Sequence, residues 1–132
     1  MILVPIQQEP NAARILYELL KERPPEAAIS HKAMPTFEQH EAFVRGHPYE
    51  AWYLLGAAST YVGSVYLTPA REVGIFIFKA HHGNGYGKRA IALLREAHPG
   101  RLLANVAPGN AASHKFFQAL GAVKIQETYA LE

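Results

Sequence analysis

Glu72-Val73-Gly74-Ile75-Phe76-Ile77-Phe78, followed after a short spacer by Gly83-Asn84-Gly85-Tyr86-Gly87-Lys88, is the stretch whose reading decides the fold. An apolar run of strand length ends in a glycine-rich loop, and the loop opens into Gly87–Leu94, which reads as a helix. Three glycines in five residues leave backbone N–H groups uncovered by side chains. The first turn of the helix adds N–H groups without intrahelical partners and the positive end of the helix dipole. That combination suits a phosphate or pyrophosphate. Two familiar phosphate loops fit poorly. The dinucleotide fingerprint G-x-G-x-x-G fails because the third glycine comes one residue early. The Walker loop is one residue short, and Arg89 stands where a magnesium-binding hydroxyl belongs.

A second motif lies downstream. Leu102 to Asn110 reads as a strand ending in a turn, and Asn110 to Gly121 as a helix with an Asn cap and a Gly stop. His82-Gly83-Asn84-Gly85-Tyr86-Gly87 resembles the acetyl-CoA loop of the GNAT acetyltransferases, [QR]-x-x-G-x-[GA], with His82 in place of Gln or Arg. The run from Asn110 to Ala122 resembles the other half of that family's cofactor site, N-x-x-[AS]-x-x-[LF]-[YF]-x-x-x-G-[FA]. One helix and one strand separate the two motifs, as in the family. The resemblance covers Val62 to the C-terminus well and the first half loosely.

The resemblance implies an α/β (α+β) GNAT fold: a mixed, mostly antiparallel sheet flanked by helices. In it the strands at 72–78 and 101–106 run parallel and splay apart around the pantetheine arm. It also implies an N-acetyltransferase with acetyl-CoA as cosubstrate. Backbone groups of Ile75, Phe76 and Ile77 are then expected to pair with the pantetheine amides. The N–H groups of Gly83, Asn84, Gly85, Tyr86, Gly87 and Lys88 are expected to hold the pyrophosphate, with a charge-assisted contact from the Lys88 side chain. Asn110 is expected to bond the cofactor arm as well as cap its helix.

Acetyl transfer to an amine also requires a proton to leave the amine and one to reach the thiolate. An amine of pKa about 10.4 loses its proton at neutral pH at a cost of about 4–5 kcal/mol unless the site helps. Many family members place a tyrosine on the last helix as the acid, and the matching residue is Phe117, which has no proton to give. Some members place a glutamate on the strand before the asparagine, and the matching residue is Asn105. Neither role transfers. Glu72, at the start of the strand facing the cofactor, is the preferred base; His31, between the first two helices, is the second candidate. A thiol of pKa near 8.5 leaves with little assistance, and Tyr129 on the last predicted strand is a substitute donor. Without these roles the same motifs describe a catalytically idle CoA-binding module. A third reading is a nucleotide-phosphate binder unrelated to CoA.

The remaining elements frame this site. Residues 2–7 read as a strand and Asn11 to Glu22 as a helix stopped by Pro24 and Pro25. Thr36 caps a second helix to about Arg45. Ala51–Ala58 and Tyr61–Thr68 read as a hairpin, and Glu72–Phe78 as a third strand of that meander. A last strand is expected at 122–131, giving the order βααβββαβαβ. Phe37, Phe43, Phe76, Phe78 and Phe116 read as core. Trp52 and Tyr53 adjoin in a strand and so face opposite ways, one into the core and one toward the acceptor pocket.

With 132 residues the chain is read as a single domain, residues 1–132. A formal charge of +2, with no basic cluster beyond Lys88 and Arg89, gives no case for nucleic acid. Cysteine is absent, which excludes disulfides and thiolate catalysis and fits a reducing, cytoplasmic setting. No apolar run reaches membrane-spanning length, and the N-terminus lacks a signal-peptide pattern. His81 and His82 are adjacent and the chain contains no aspartate, so no metal site is expected. The expected acceptor is a small-molecule amine, with a peptide N-terminus as the other option. The alternating segment Lys124–Leu131 can pair across a homodimer.

Overall fold

A computed structural model describes residues 1–23 and 33–132. The elements in chain order are β1 (Ile2–Pro5), α1 (Ala12–Lys21), α2 (Phe37–Arg45), β2 (Ala51–Ala57), β3 (Thr60–Leu67), β4 (Glu72–Ile77), α3 (Tyr86–Ala97), β5 (Leu103–Ala104) and α4 (Ala111–Ala119). Short 3-10 turns follow β1 at Ile6–Gln8 and β4 at Lys79–His81. The five strands form one sheet in the order β1-β2-β3-β4-β5. Every neighbouring pair is antiparallel except β4 and β5, which run parallel. This is the mixed sheet with flanking helices that the sequence implied.

Each face of the sheet buries its own core because strand side chains alternate. On one face α3 sets Ala90, Ile91 and Leu94 against Leu55, Val65, Leu67 and Val73. On the other, α1 and α2 bring Leu16, Leu19 and Val44 onto Leu54. Adjacent Leu54 and Leu55 thus serve opposite layers, and both are fully buried. Trp52 and Tyr53 divide in the same way. Tyr53 turns to the α3 face, where its hydroxyl meets His98 Nε2 at 2.7 Å. Trp52 joins the α1/α2 face.

Helix starts follow the sequence signals. Thr36 and Gln39 form a reciprocal capping box at α2. Asn110 Oδ1 accepts from Ser113 N at the start of α4. Gly121, at φ 86°, ends α4: its N–H reaches the Gln118 carbonyl and the Ala122 N–H reaches that of Phe117, a Schellman stop. Arg71 holds the start of β4 in register with the end of α3. Its guanidinium donates to the carbonyls of His98, Pro99 and Arg101, while its own carbonyl accepts from Leu103 N.

Three expectations need correction. The strand at 101–106 pairs only over Leu103 and Ala104, because β4 and the chain after Ala104 diverge. No strand forms at 122–131: the segment carries no regular structure and is exposed throughout. Alternation gives a segment two faces but supplies no neighbour, and without a ladder partner its backbone groups are left to water. Phe43 is not core; it is 46% exposed and stands edge-on to Tyr49 and Trp52. Residues Pro24, Pro25 and His31 lie outside the described residues.

Candidate active site

The divergence of β4 and β5 makes the site. Glu72 pairs with Leu103 and Val73 with Ala104, and there the ladder stops. A cleft of about 260 Å³ opens beyond it, with Gly74, Ile75 and Phe76 on one wall and Asn105, Val106, Ala107, Asn110 and Phe117 on the other.

The hydrogen-bond phase of β4 decides which backbone groups face that cleft. Phe78 N donates to Val62 O (2.9 Å) and Thr68 N to Glu72 O (2.8 Å). In an antiparallel ladder alternate residues bond to the same neighbour. Phe76, opposite Ser64, therefore spends its N–H and carbonyl on β3. Ile75 turns its own to the cleft, and Ile77 has the same parity. The expectation that Phe76 offers backbone groups there fails on parity alone; its side chain, however, lines the cleft. The Ile77 carbonyl is engaged by His82 Nε2 at 2.9 Å. His82, at the family's Gln or Arg position, thus ties the loop to the end of β4.

The three loop glycines have different reasons. Gly83 (φ 83°) and Gly85 (φ 72°) occupy left-handed backbone, and a Cβ on either would meet nothing. Gly87 sits in the first turn of α3, where a Cβ would come within 2.9 Å of the Phe116 ring. Gly85 caps α3 without a side-chain hydrogen bond, so the first-turn N–H groups stay uncapped by side chains. The Asn84 amide donates to the His81 carbonyl (3.1 Å), which fixes the turn. Lys79, Lys88 and Arg89 are exposed, and the carboxylate that reaches this end of β4 is Glu22, whose Oε1 accepts from Lys79 N at 2.8 Å. The uncapped helix start itself favours an anion.

At the other end, Glu72, Gly74 and Phe76 share the α1/α2 face of β4. The Asn105 amide donates to the Glu72 carboxylate. An amide just past β5 thus holds the carboxylate at the start of β4. Glu72 also closes its own turn, its N–H bonding Thr68 Oγ1 at 3.0 Å.

Tyr66 is the residue that sequence reasoning missed. It lies on β3 opposite Gly74 and lines the cleft. Because Gly74 has no side chain, the Tyr66 ring lies across β4 toward the cleft. Tyr49 stacks on it with centroids 3.9 Å apart and planes 4° apart, and Trp52 stands edge-on to Tyr49 at 4.7 Å. Burial, reinforced by Tyr66, raises the Tyr49 pKa far above the ordinary phenol range, so Tyr49 stays neutral. The signal available in sequence was Gly74 within an otherwise bulky strand, but nothing local named its cross-strand partner. Arg23, at the end of α1, also lines the cleft.

Tyr129 does not join the site: it is 85% exposed, and its hydroxyl donates to Glu127 (3.2 Å) on the same segment. Among the described residues no group of three metal-ligating side chains lies together, and no helix is long and apolar enough to cross a membrane.

Residues 13–122 match the model of the acetyltransferase (GNAT) family. Comparison with curated proteins gave no match. Among solved structures, the chain is similar to a chimera of the spermidine N-acetyltransferase SpeG from Vibrio cholerae, with TM-score 0.74, 18% identity, and coverage of 96% of this chain and 84% of that one. An acetyltransferase from Thermus thermophilus aligns with TM-score 0.64 and 25% identity over 91% of this chain and 84% of that one. A ribosomal-protein-alanine N-acetyltransferase from Brucella melitensis aligns with TM-score 0.66 and 18% identity over 92% and 83%.

Proposed function

The chain belongs to the GNAT acetyltransferase family, and from that premise we propose that it is a cytoplasmic, single-domain N-acetyltransferase, spanning residues 1–132, that moves an acetyl group from acetyl-CoA to a primary amine. The observation that carries the reading is the half-unpaired strand β4. Its backbone groups at Ile75 face a cleft that Asn110 lines from the other side, and the strand leads on through the glycine loop to the uncapped start of α3. An extended amide-bearing arm that ends in a pyrophosphate fits both features.

Acetyl-CoA supplies the activated thioester carbonyl; the chain supplies everything else. The N–H groups of Gly83 to Lys88 receive the pyrophosphate, and the Lys88 side chain adds charge. Ile75 and Ile77 bond the pantetheine arm, and Asn110 meets it from the α4 side. A main-chain N–H of β4 polarises the thioester carbonyl. The amine enters from the α1/α2 face, where Glu72, oriented by Asn105, accepts its proton directly or through one water. Phe117 is apolar and shapes the wall. The Tyr66 hydroxyl, across the cleft from it, donates to the departing thiolate in place of the tyrosine that the family carries on α4.

The acceptor is a small-molecule amine, as in the spermidine N-acetyltransferase, or a peptide N-terminus, as in the ribosomal-protein-alanine enzyme. The Tyr66 ring that lines the cleft, backed by Tyr49, suits a short amine with an apolar stem. The replacement of both family acid and base positions, by Phe117 and Asn105, favours one second reading: a CoA-binding module without turnover.

Thermal-shift titration with acetyl-CoA, CoA and ATP, followed by a free-thiol assay on polyamines, amino acids and peptides, separates the readings. Stabilisation by acetyl-CoA and CoA with thiol release on an amine is expected. Stabilisation without release on the whole panel would favour the idle module. Protection by ATP alone would refute CoA binding.

A further inference from the structure

Among the described residues, apolar and neutral polar side chains line the cleft between β4 and β5 with one charged exception, Arg23. Its place is fixed from two sides. α1 ends at Lys21, and the Arg23 N–H continues the last turn onto the Leu20 carbonyl at 3.2 Å. The preceding residue ties that end of the helix to the sheet, where Glu22 Oε1 accepts from Lys79 N at 2.8 Å just past β4. Arg23 is thereby half-buried and lines the cleft together with Tyr66, Gly74 and Phe76. Burial and Tyr66 raise the Tyr49 pKa, and the Arg23 charge opposes that rise, so the guanidinium stands near the Tyr49–Tyr66 stack. The ion pairs among the described residues are Lys21–Glu18, Arg45–Glu41 and Lys124–Glu127, and none involves Arg23.

A guanidinium keeps its charge at any working pH and presents a planar fork of donors that matches a carboxylate. Half-buried without an anion it is costly, so the ligand of the cleft is expected to bring one. In the proposed reaction the cofactor does not bring it: its phosphates belong at the loop Gly83–Lys88, and the pantetheine arm along β4 is uncharged. The anion then comes with the acceptor. Resting on the N-acetyltransferase reading above, we propose that the acceptor is an amino acid, its carboxylate received by Arg23 while its amine faces Glu72. Glu72, Gly74 and Phe76 follow one another on one face of β4. One such two-residue step, about 6–7 Å, is the scale of a single amino acid. A polyamine is the opposite case, because its second ammonium would stand against the Arg23 charge.

Thiol release from acetyl-CoA is measured with alanine, leucine, phenylalanine and γ-aminobutyrate, each beside its amide, and with spermidine as a cationic control. An amide has the more easily deprotonated amine, so without an anion site it would be the better acceptor. For at least one acid, kcat/KM is expected to exceed that of its amide at least tenfold. Arg23→Ala is expected to lower this acid-to-amide ratio about 10–100-fold, chiefly through KM, as for the loss of a charged hydrogen-bond partner. Arg23→Lys, which keeps the charge without the fork, is expected to lower it less. The acetyl-CoA thermal shift reports folding and the cofactor site separately, and it is expected to persist in both variants. Preference for amides or spermidine over every acid would overturn the proposal, as would a ratio unmoved by Arg23→Ala. A shift lost in Arg23→Ala would also overturn it and assign Arg23 to the cofactor. Where no acceptor releases thiol, the transferase reading fails, and calorimetry with the same acids on the CoA-bound protein decides the anion site by itself. Binding of an acid that Arg23→Ala abolishes supports the site, and no binding of any acid overturns it.

Discussion

Gly74→Ala tests whether Tyr66 reaches the cleft by crossing β4. A Cβ at position 74 would lie no further than 2.5 Å from Cε2, Cζ and Oη of Tyr66, against an ordinary contact of about 3.5–4.0 Å. The backbone at Gly74 is not in the left-handed region, so strain of that kind does not contribute. The ring must move, and its stack on Tyr49 at 3.9 Å is lost with it. Overpacking of this kind costs about 1–3 kcal/mol, of which a broken aromatic stack accounts for about 0.5–1.5 kcal/mol. In a Tyr66→Ala background the obstacle is gone, and alanine in a strand interior is then favoured over glycine by about 0.5–1 kcal/mol. The effect of Gly74→Ala should therefore change sign between the two backgrounds. Urea unfolding of the four proteins gives the coupling directly. An equal loss in both backgrounds would refute the geometry and remove Tyr66 from the site.

Tyr66→Phe keeps the ring and the stack but removes the hydroxyl; thiol release should fall at least tenfold with little change in the acetyl-CoA thermal shift, since an assisted thiolate departure is within the usual range for a positioned acid. Unchanged release would show that the thiolate leaves unaided. Gly85→Ala, at φ 72° with open space around the new methyl, should destabilise by about 1–2 kcal/mol through backbone conformation alone, and should weaken the acetyl-CoA shift; an unaltered shift would separate the loop from the cofactor. His40 is buried with its Nε2 unpartnered among the described residues, and burial lowers its pKa below 6.5. Its neutral form is the folded one, so its contribution is complete above about pH 6.5 and is lost as pH falls through the lowered native value. Urea midpoints should drop on acidification through that window, and His40→Leu should flatten the slope; the same slope in both proteins would assign the acid sensitivity elsewhere.

The loop-and-cap half of the candidate site, proposed to hold the cofactor, has local determinants that the sequence marks. A positive φ at Gly83 and Gly85, a helix start at Tyr86 and a cap at Asn110 each leave a mark at their own position. The half of the candidate site proposed for catalysis was less legible because its determinants cross strands. Whether Ile75 or Phe76 faces the cleft depends on which β3 residue bonds which β4 residue, a parity that no local pattern states. Tyr66 enters the cleft only because Gly74 sits opposite it on the next strand. The expected last strand failed for a related reason: residues 122–131 carry the alternation of a strand, but pairing is a property of two segments.

The pair of Glu72 and Asn105 makes this cross-strand logic testable in one experiment. Sequence places an amide where some relatives place the base, and the structure bonds that amide to the carboxylate on the neighbouring strand. If function resides in the pair, the two groups can trade places. Glu72→Gln alone leaves two amides and no proton acceptor, and turnover at neutral pH should fall about 10²–10⁴-fold. Glu72→Gln combined with Asn105→Glu restores one carboxylate and one amide, with the hydrogen bond reversed. The methylene added at the exposed position 105 has room in the open cleft. Urea stability should then stay within about 0.5 kcal/mol of the parent, as for other exchanges at the surface. Turnover should recover at least tenfold over Glu72→Gln, because the acceptor moves by little more than the width of one hydrogen bond. A double variant as stable as the parent but as inactive as Glu72→Gln would show that the carboxylate must stand on β4. Full activity in Glu72→Gln alone would show that neither group takes the proton, and that the Asn105–Glu72 bond serves only to close the neck of the cleft.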